Sequence, residues 1–208
     1  MATGLKSDKM RLIIVRHGQT HDNAAGIVQG HRHDQLNNHG VNQAEKVAKF
    51  LRAEQIDVAY SSDSTRAHHT ATIIMKYHPA VKLITEPMMR ERHSGIYEGQ
   101  HGDIMTAALK QSHVNPHDWQ PEGGESLRQL FDRASQWYDL IKQRHHQQTV
   151  LLVSHGGFIR SLLTAIIEGP EYHFNLAYRH DNTGVTVIDI DHHGQPTIQA
   201  LNSLRHLP

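Results

Sequence analysis

Two short stretches of this chain share one plan. Leu12-Ile13-Ile14-Val15 is an unbroken, mostly β-branched apolar run that ends on Arg16-His17-Gly18, and Val150-Leu151-Leu152-Val153 passes through Ser154 to His155-Gly156. Runs of this kind read as strands buried on both faces of a sheet, so the chain must supply covering helices on each side. A buried strand has no room for an arginine and an imidazole. Arg16, His17 and His155 therefore belong at strand carboxyl ends, where an open α/β sheet forms its ligand crevice. Gly18 lets a ligand approach the backbone closely. A cation, an imidazole and a glycine in sequence make an anion site with a nucleophile or base built in, and His155 joins it if the two strands are neighbours.

The rest of the chain alternates to match. Val41, Ala44, Val47, Ala48 and Leu51 recur at helical spacing between His39 and Arg52, opposite Gln43, Glu45, Lys46 and Lys49. Residues 56–61 read as a second strand, and Ser62-Asp63-Ser64 offers capping chemistry for a helix from Thr65 to Tyr77, with Arg66 in its first turn. A cation there opposes the helix dipole unless it serves an anion held at the same end. Residues 81–85 give a third strand, and Leu127, Leu130, Phe131, Ala134, Trp137, Tyr138 and Ile141 mark a strong amphipathic helix. After the Thr149–Ser154 strand come a helix from Phe158 to Ile167, a strand over 184–190 entered through Asn182-Thr183-Gly184, and an edge strand over 196–201. Residues 24–38 read as a loop bordering the crevice. The pattern predicts a three-layer α/β/α sandwich with a mainly parallel central sheet.

At 208 residues the chain is long enough for a sizeable core and too short for two full domains. Residues 1–208 are thus expected to form a single domain, with 95–125 as a lid or specificity excursion. Lys+Arg and Asp+Glu both number 21, so any anion site is local and no basic field points to nucleic acid. Cysteine is absent, which excludes disulfides, thiolate metal sites and a cysteine nucleophile. The first ten residues are too polar for a secretory signal, and no run approaches the ~20 apolar residues a bilayer span needs, so a soluble, cytoplasmic protein without membrane partners is expected. The 20 histidines include the pairs His68-His69, His145-His146 and His192-His193 and the cluster His31-Arg32-His33. With no His-Glu-x-x-His helix and no acidic cluster beside them, they read as solvated surface groups, and no metal site is expected.

The stretch Arg16-His17-Gly18-x-Thr20-x-x-Asn23, followed by Gln29-Gly30 and the Gly40-x-x-Gln43-Ala44 helix opening, resembles the histidine phosphatase superfamily, which includes the cofactor-dependent phosphoglycerate mutases. Tyr60-Ser61-Ser62-Asp63-x-x-Arg66-Ala67-x-x-Thr70-Ala71 resembles that family's second element, and the resemblance implies that Arg66 binds the phosphoryl group. Arg90-Glu91-Arg92, leading on to Gly95 and Glu98-Gly99, resembles the acid-bearing loop of the phosphatase branches and implies Glu91 as proton donor. Glu98, close by, is either the functional carboxylate or a partner that fixes the loop. Ser94 departs from the family by standing where many members have an aromatic residue. Pro121-x-Gly123-Gly124-Glu125-Ser126 again resembles the phosphatase-type members.

The resemblance implies a phosphoglycerate mutase-like fold and a metal-independent phosphomonoester hydrolase working through phosphohistidine on a small phosphate ester. Its catalytic set would be His17, Glu91, Arg16, Arg66 and His155, with phosphate bound by Arg16, Asn23, Arg66, His155, Gly156 and Gly18. No cofactor is implied. The alternative is a mutase, which would need a 2,3-bisphosphoglycerate primer; a different class would be a non-catalytic phospho-ligand-binding protein. Oligomeric state stays open, a homo-oligomer included.

Overall fold

The computed structural model describes residues 8–169 and 178–207. Six strands, β1 (Met10–Arg16), β2 (Val58–Ser61), β3 (Leu83–Thr85), β4 (Thr149–Ser154), β5 (Val185–Ile190) and β6 (Pro196–Ser203), form one sheet in the order β3-β2-β4-β1-β5-β6. The first four in that order run parallel, and β5 and β6 close one edge antiparallel.

Strand pleating splits the apolar runs between two cores. Leu12 and Ile14 pack with α5 (Leu127–Arg144) and α6 (Gly156–Ile167), whereas Ile13 and Val15 pack with α2 (Asn38–Leu51) and α3 (Thr65–Met75). The expected α/β/α sandwich is thus the observed one. Trp137 of α5, fully buried, meets Tyr60 and Phe158 edge-on at 6.0 and 6.1 Å between ring centroids. Its truncation would cost about 3–5 kcal/mol.

One topological detail creates the site. The parallel register pairs Arg16 with Ser154, so His17 and His155 leave adjacent strand ends. The chain after β1 covers one face through α2, while the chain after β4 covers the other through α6. Divergence of the two connections opens a crevice between the strand ends.

Several local expectations are corrected. A one-turn helix, α1 (His21–Ala25), precedes the expected loop and runs into its first two residues, started by a capping box in which Thr20 and Asn23 exchange side-chain to backbone bonds. Helix α3 stops at Met75 and not Tyr77, and its N-cap Ser64 makes no side-chain capping bond. The hydroxyl of Ser62 donates instead to Ser64 Oγ at 3.3 Å. Helix α4 (Gly102–Ser112) is continuous, yet none of its residues is buried, which is why its apolar periodicity is weak. Besides His17 and His155, expected at the strand ends, His78 and His180 are also buried, whereas His68, His69, His192 and His193 are exposed.

Candidate active site

His17 leaves the end of β1 with its backbone N–H bonded to Ser154 O at 2.9 Å and its carbonyl held by Asn182 Nδ2 at 2.9 Å. Its ring is 1 % exposed. Nδ1 lies 2.8 Å from Gly18 O, and because a carbonyl can only accept, Nδ1 carries the proton and Nε2 presents a lone pair. Burial, then the charges of Arg66 and Arg16, push the His17 pKa well below the ordinary histidine value. The ring is a neutral imidazole at physiological pH, the form a nucleophile requires.

The backbone after His17 is fixed by close approach. A Cβ on Gly18 would lie 2.4 Å from Gly40 O, so the loop crosses the start of α2 at a distance only glycine allows. Gly18 N–H donates to Thr70 Oγ1 at 3.1 Å, and Thr70 Oγ1 donates in turn to Arg66 O at 2.8 Å. This chain ties the His17 loop to α3, the helix that carries Arg66.

Arg66 is fully buried, and Arg16 comes from the last position of β1. Arg66 donates through Nη2 to Gly30 O at 2.8 Å and through Nη1 to Arg32 O at 3.0 Å, while Arg16 Nη1 donates to His180 O at 2.7 Å. Burial lowers both pKa values, yet a guanidinium is basic enough to stay charged. The His155 ring meets the His17 ring edge-on at 5.1 Å between centroids, and its Nε2 is 2.9 Å from Ser62 Oγ. Burial, then Arg66, His17 and Arg16, push His155 well below its ordinary pKa, so in the unliganded site it is neutral and not the imidazolium of a charged donor. Arg16 Nε, Arg66 Nε and His155 Nδ1 are buried without a hydrogen-bond partner among the described residues. Leaving such atoms unpaired costs about 1–3 kcal/mol each; the two guanidinium N–H groups are donors ready for an anion, and His155 Nδ1, a lone pair while Nε2–H faces Ser62, becomes a third when an anion brings a proton onto it.

Glu91 faces this group from the loop after β3. Its Oε2 accepts from Gly157 N–H at 3.0 Å and its Oε1 from Arg92 N–H at 2.9 Å. Glu98 has a different environment: Oε1 accepts from His31 N–H at 2.9 Å and Ser94 N–H at 3.0 Å, which makes it a loop-fixing partner. Arg16, His17, Asn23, Glu91 and Gly157 line a cleft of about 250 Å³, whereas Glu98 does not. Ile27, Val28, Met105, Leu127 and Leu130 add apolar wall, with Gln29, Arg92, Ser94 and Arg160 among the further polar lining.

Two expected phosphate contacts sit differently from the rest. Asn23 reaches the cleft, but its amide donates to Gln29 Oε1 at 3.3 Å and accepts from Asn182 Nδ2 at 3.2 Å. A Cβ on Gly156 would meet nothing closer than Arg16 Nε at 3.5 Å, an ordinary contact, whereas one on Gly157 would lie 2.2 Å from Glu91 Oε1. Gly157 is therefore the constrained glycine, and sequence reasoning passed over it. It also missed Ser62, and Asn182 as a brace on His17, although both lie in stretches it had singled out.

A family model for the histidine phosphatase superfamily (branch 1) matches residues 12–204. The chain belongs to the histidine phosphatase superfamily. Phosphoglycerate mutase-like protein 4 of Arabidopsis thaliana is 35% identical over 206 residues, covering 96% of this chain and 88% of the relative. A metal-independent phosphoserine phosphatase of the same plant is 35% identical over 170 residues, covering 79% and 71%. Among solved structures, YhfR of Bacillus stearothermophilus superposes with a TM-score of 0.85 at 28% identity, over 96% of this chain and 100% of that one. Fold, family and the phosphatase class of enzyme agree with the sequence reading. Among the described residues no group of three or more His, Asp or Glu side chains could hold a metal ion, and no helix is long and apolar enough to cross a membrane.

Proposed function

We propose that this histidine phosphatase hydrolyses the phosphomonoester of a small metabolite in two steps through phospho-His17, without a metal ion. The observation that carries the reading is the neutral His17 Nε2 set beside Arg16 and the buried Arg66 and His155, with Glu91 on the same cleft. In the first step Nε2 attacks phosphorus, the bond to the ester oxygen breaks, and protonated Glu91 gives its proton to the departing alkoxide. In the second, Glu91 takes a proton from water as its oxygen attacks phosphorus; the P–N bond breaks and inorganic phosphate leaves. Arg16 and Arg66 neutralise the equatorial oxygens throughout, and His155 Nδ1 adds a donor once an anion is beside it.

Cleft size and the phosphoserine phosphatase among the relatives support a small phosphorylated substrate. The likeness to a phosphoglycerate mutase-like protein keeps one alternative in view, in which the phosphoryl group returns to an organic acceptor instead of water. One assay separates them: phosphate release in EDTA from a panel of p-nitrophenyl phosphate, phosphoserine, sugar phosphates and phosphoglycerates, with His17→Ala as control. His17-dependent release supports the phosphatase. Phosphoglycerate isomerisation that appears only on adding 2,3-bisphosphoglycerate would replace it with the mutase, and undiminished release by His17→Ala would eliminate the mechanism.

A further inference from the structure

We propose that Arg133, held by Glu125, is the positioning residue that sets Glu91 for proton transfer; this rests on the reading of Glu91 as the acid. Arg133 lies on α5, 42 residues beyond Glu91, and does not line the cleft. All five of its N–H donors are committed. Nε donates to Glu125 Oε1 at 3.0 Å and Nη2 to Glu125 Oε2 at 2.7 Å, a two-pronged pair that fixes the guanidinium plane. Nη1 donates to Met88 O at 2.7 Å and Arg90 O at 2.9 Å, and Nη2 to Glu91 O at 3.3 Å. Three carbonyls within four residues of the acid loop are thereby read by one cation.

The arrangement reaches both sides of the acid. Arg133 lies over the ring of Phe158 at 5.8 Å, and Phe158 follows Gly157, whose N–H holds the Glu91 carboxylate. His31 Nε2 also contacts Glu91 O, at 2.9 Å. Glu125 also accepts from His93 N–H at 3.3 Å through Oε2, so the acid loop is bound at its entry and its exit by a single ion pair. This gives the glutamate of the Pro-x-Gly-Gly-Glu-Ser run a function: it orients the arginine that orients the acid. Lysine could not substitute, having three donors and no planar fork.

The test compares kcat/KM for an alkyl phosphate, whose alkoxide needs a proton to leave, with that for p-nitrophenyl phosphate, whose phenolate does not. The ratio of the two is independent of how much of a variant is folded. Glu91→Gln should depress the alkyl ester ~100-fold and p-nitrophenyl phosphate only a fewfold. Arg133→Met and Arg133→Lys should show the same selective loss, Glu125→Gln a weaker one, and Arg133→Met added to Glu91→Gln should leave the ratio where Glu91→Gln put it. If the Arg133 variants slow both esters alike while Glu91→Gln discriminates, Arg133 only supports the fold and the proposal fails. If Glu91→Gln also fails to discriminate, the acid lies elsewhere, and the Glu91 reading falls first.

Discussion

Replacing Gly157 with alanine should damage the chemistry while sparing the fold. Gly157 sits in the first turn of α6, and its added Cβ would lie 2.2 Å from Glu91 Oε1, 3.1 Å from Glu91 Cδ and 3.4 Å from Leu130 Cδ2. Leu130 is at ordinary contact distance, so the burden falls on the end of one flexible side chain. To restore a normal nonbonded separation the carboxylate must retreat by more than about 1 Å. That breaks the 3.0 Å bond from Gly157 N–H to Oε2, a charge-assisted interaction of about 1.5–3 kcal/mol. A misplacement of this size at a reacting group costs roughly 100-fold in rate, or about 2.7 kcal/mol of barrier, and the two estimates agree. The helix regains about 0.5–1 kcal/mol from alanine over glycine, less than the lost bond is worth, so Tm should fall by only a few degrees while the fold is kept. Thermal unfolding and steady-state kinetics on an alkyl phosphate read the two effects separately. Unchanged kcat/KM, with Tm also unchanged, would refute the idea that Glu91 must sit against the start of α6.

Other perturbations test other parts of the account. His180 is buried, accepts Arg16 at its carbonyl, and has its pKa lowered by burial to about 4, so the unfolded chain binds the extra proton below the ordinary histidine value. Stability should be intact above pH ~6.5 and fall by roughly 3 kcal/mol from this residue as pH drops to its folded value, with His17 and His155 adding loss in the same direction. Urea unfolding at pH 7 and pH 5 should show this decline, and His180→Gln should shallow it; parallel curves would contradict the assignment. Arg66→Lys removes a planar fork that grips Gly30 O and Arg32 O, so kcat/KM should fall at least ~100-fold in steady-state assays, and near-normal activity would mean that Arg66 does not touch the phosphoryl group.

The elements that were legible in the sequence are those whose signal is local. His17 and His155 stand out because an apolar run breaks abruptly to a polar group and a glycine, and the register pairing Arg16 with Ser154 then brings them together. Helices α2 and α5 were legible because each buries a full apolar stripe, whereas α4 buries none and left only a faint trace. What the sequence left open depends on partners distant along the chain. Glu91 and Glu98 are the same residue type seven positions apart, and they are separated only by what holds them: Gly157 from α6 for one, His31 and Ser94 for the other. Gly156 and Gly157 are adjacent glycines, distinguished by a carboxylate arriving from another loop. Ser62 and Ser64 look like caps, but a nearby imidazole engages the first hydroxyl. Arg133 carries no local signal at all, because the carbonyls of Met88, Arg90 and Glu91 that it binds come from a distant loop.

The central claim is a covalent bond between phosphorus and His17 Nε2. The most direct measurement is rapid quenching of enzyme with excess substrate at neutral to alkaline pH, followed by digestion and mass spectrometry of the peptides under conditions that preserve phosphohistidine. The account predicts a phosphoryl group on the peptide containing His17, formed no more slowly than turnover, accumulating further in Glu91→Gln when a p-nitrophenyl ester loads the enzyme, and absent in His17→Ala. Turnover without any phosphorylated histidine, or label on His155 in place of His17, would contradict it.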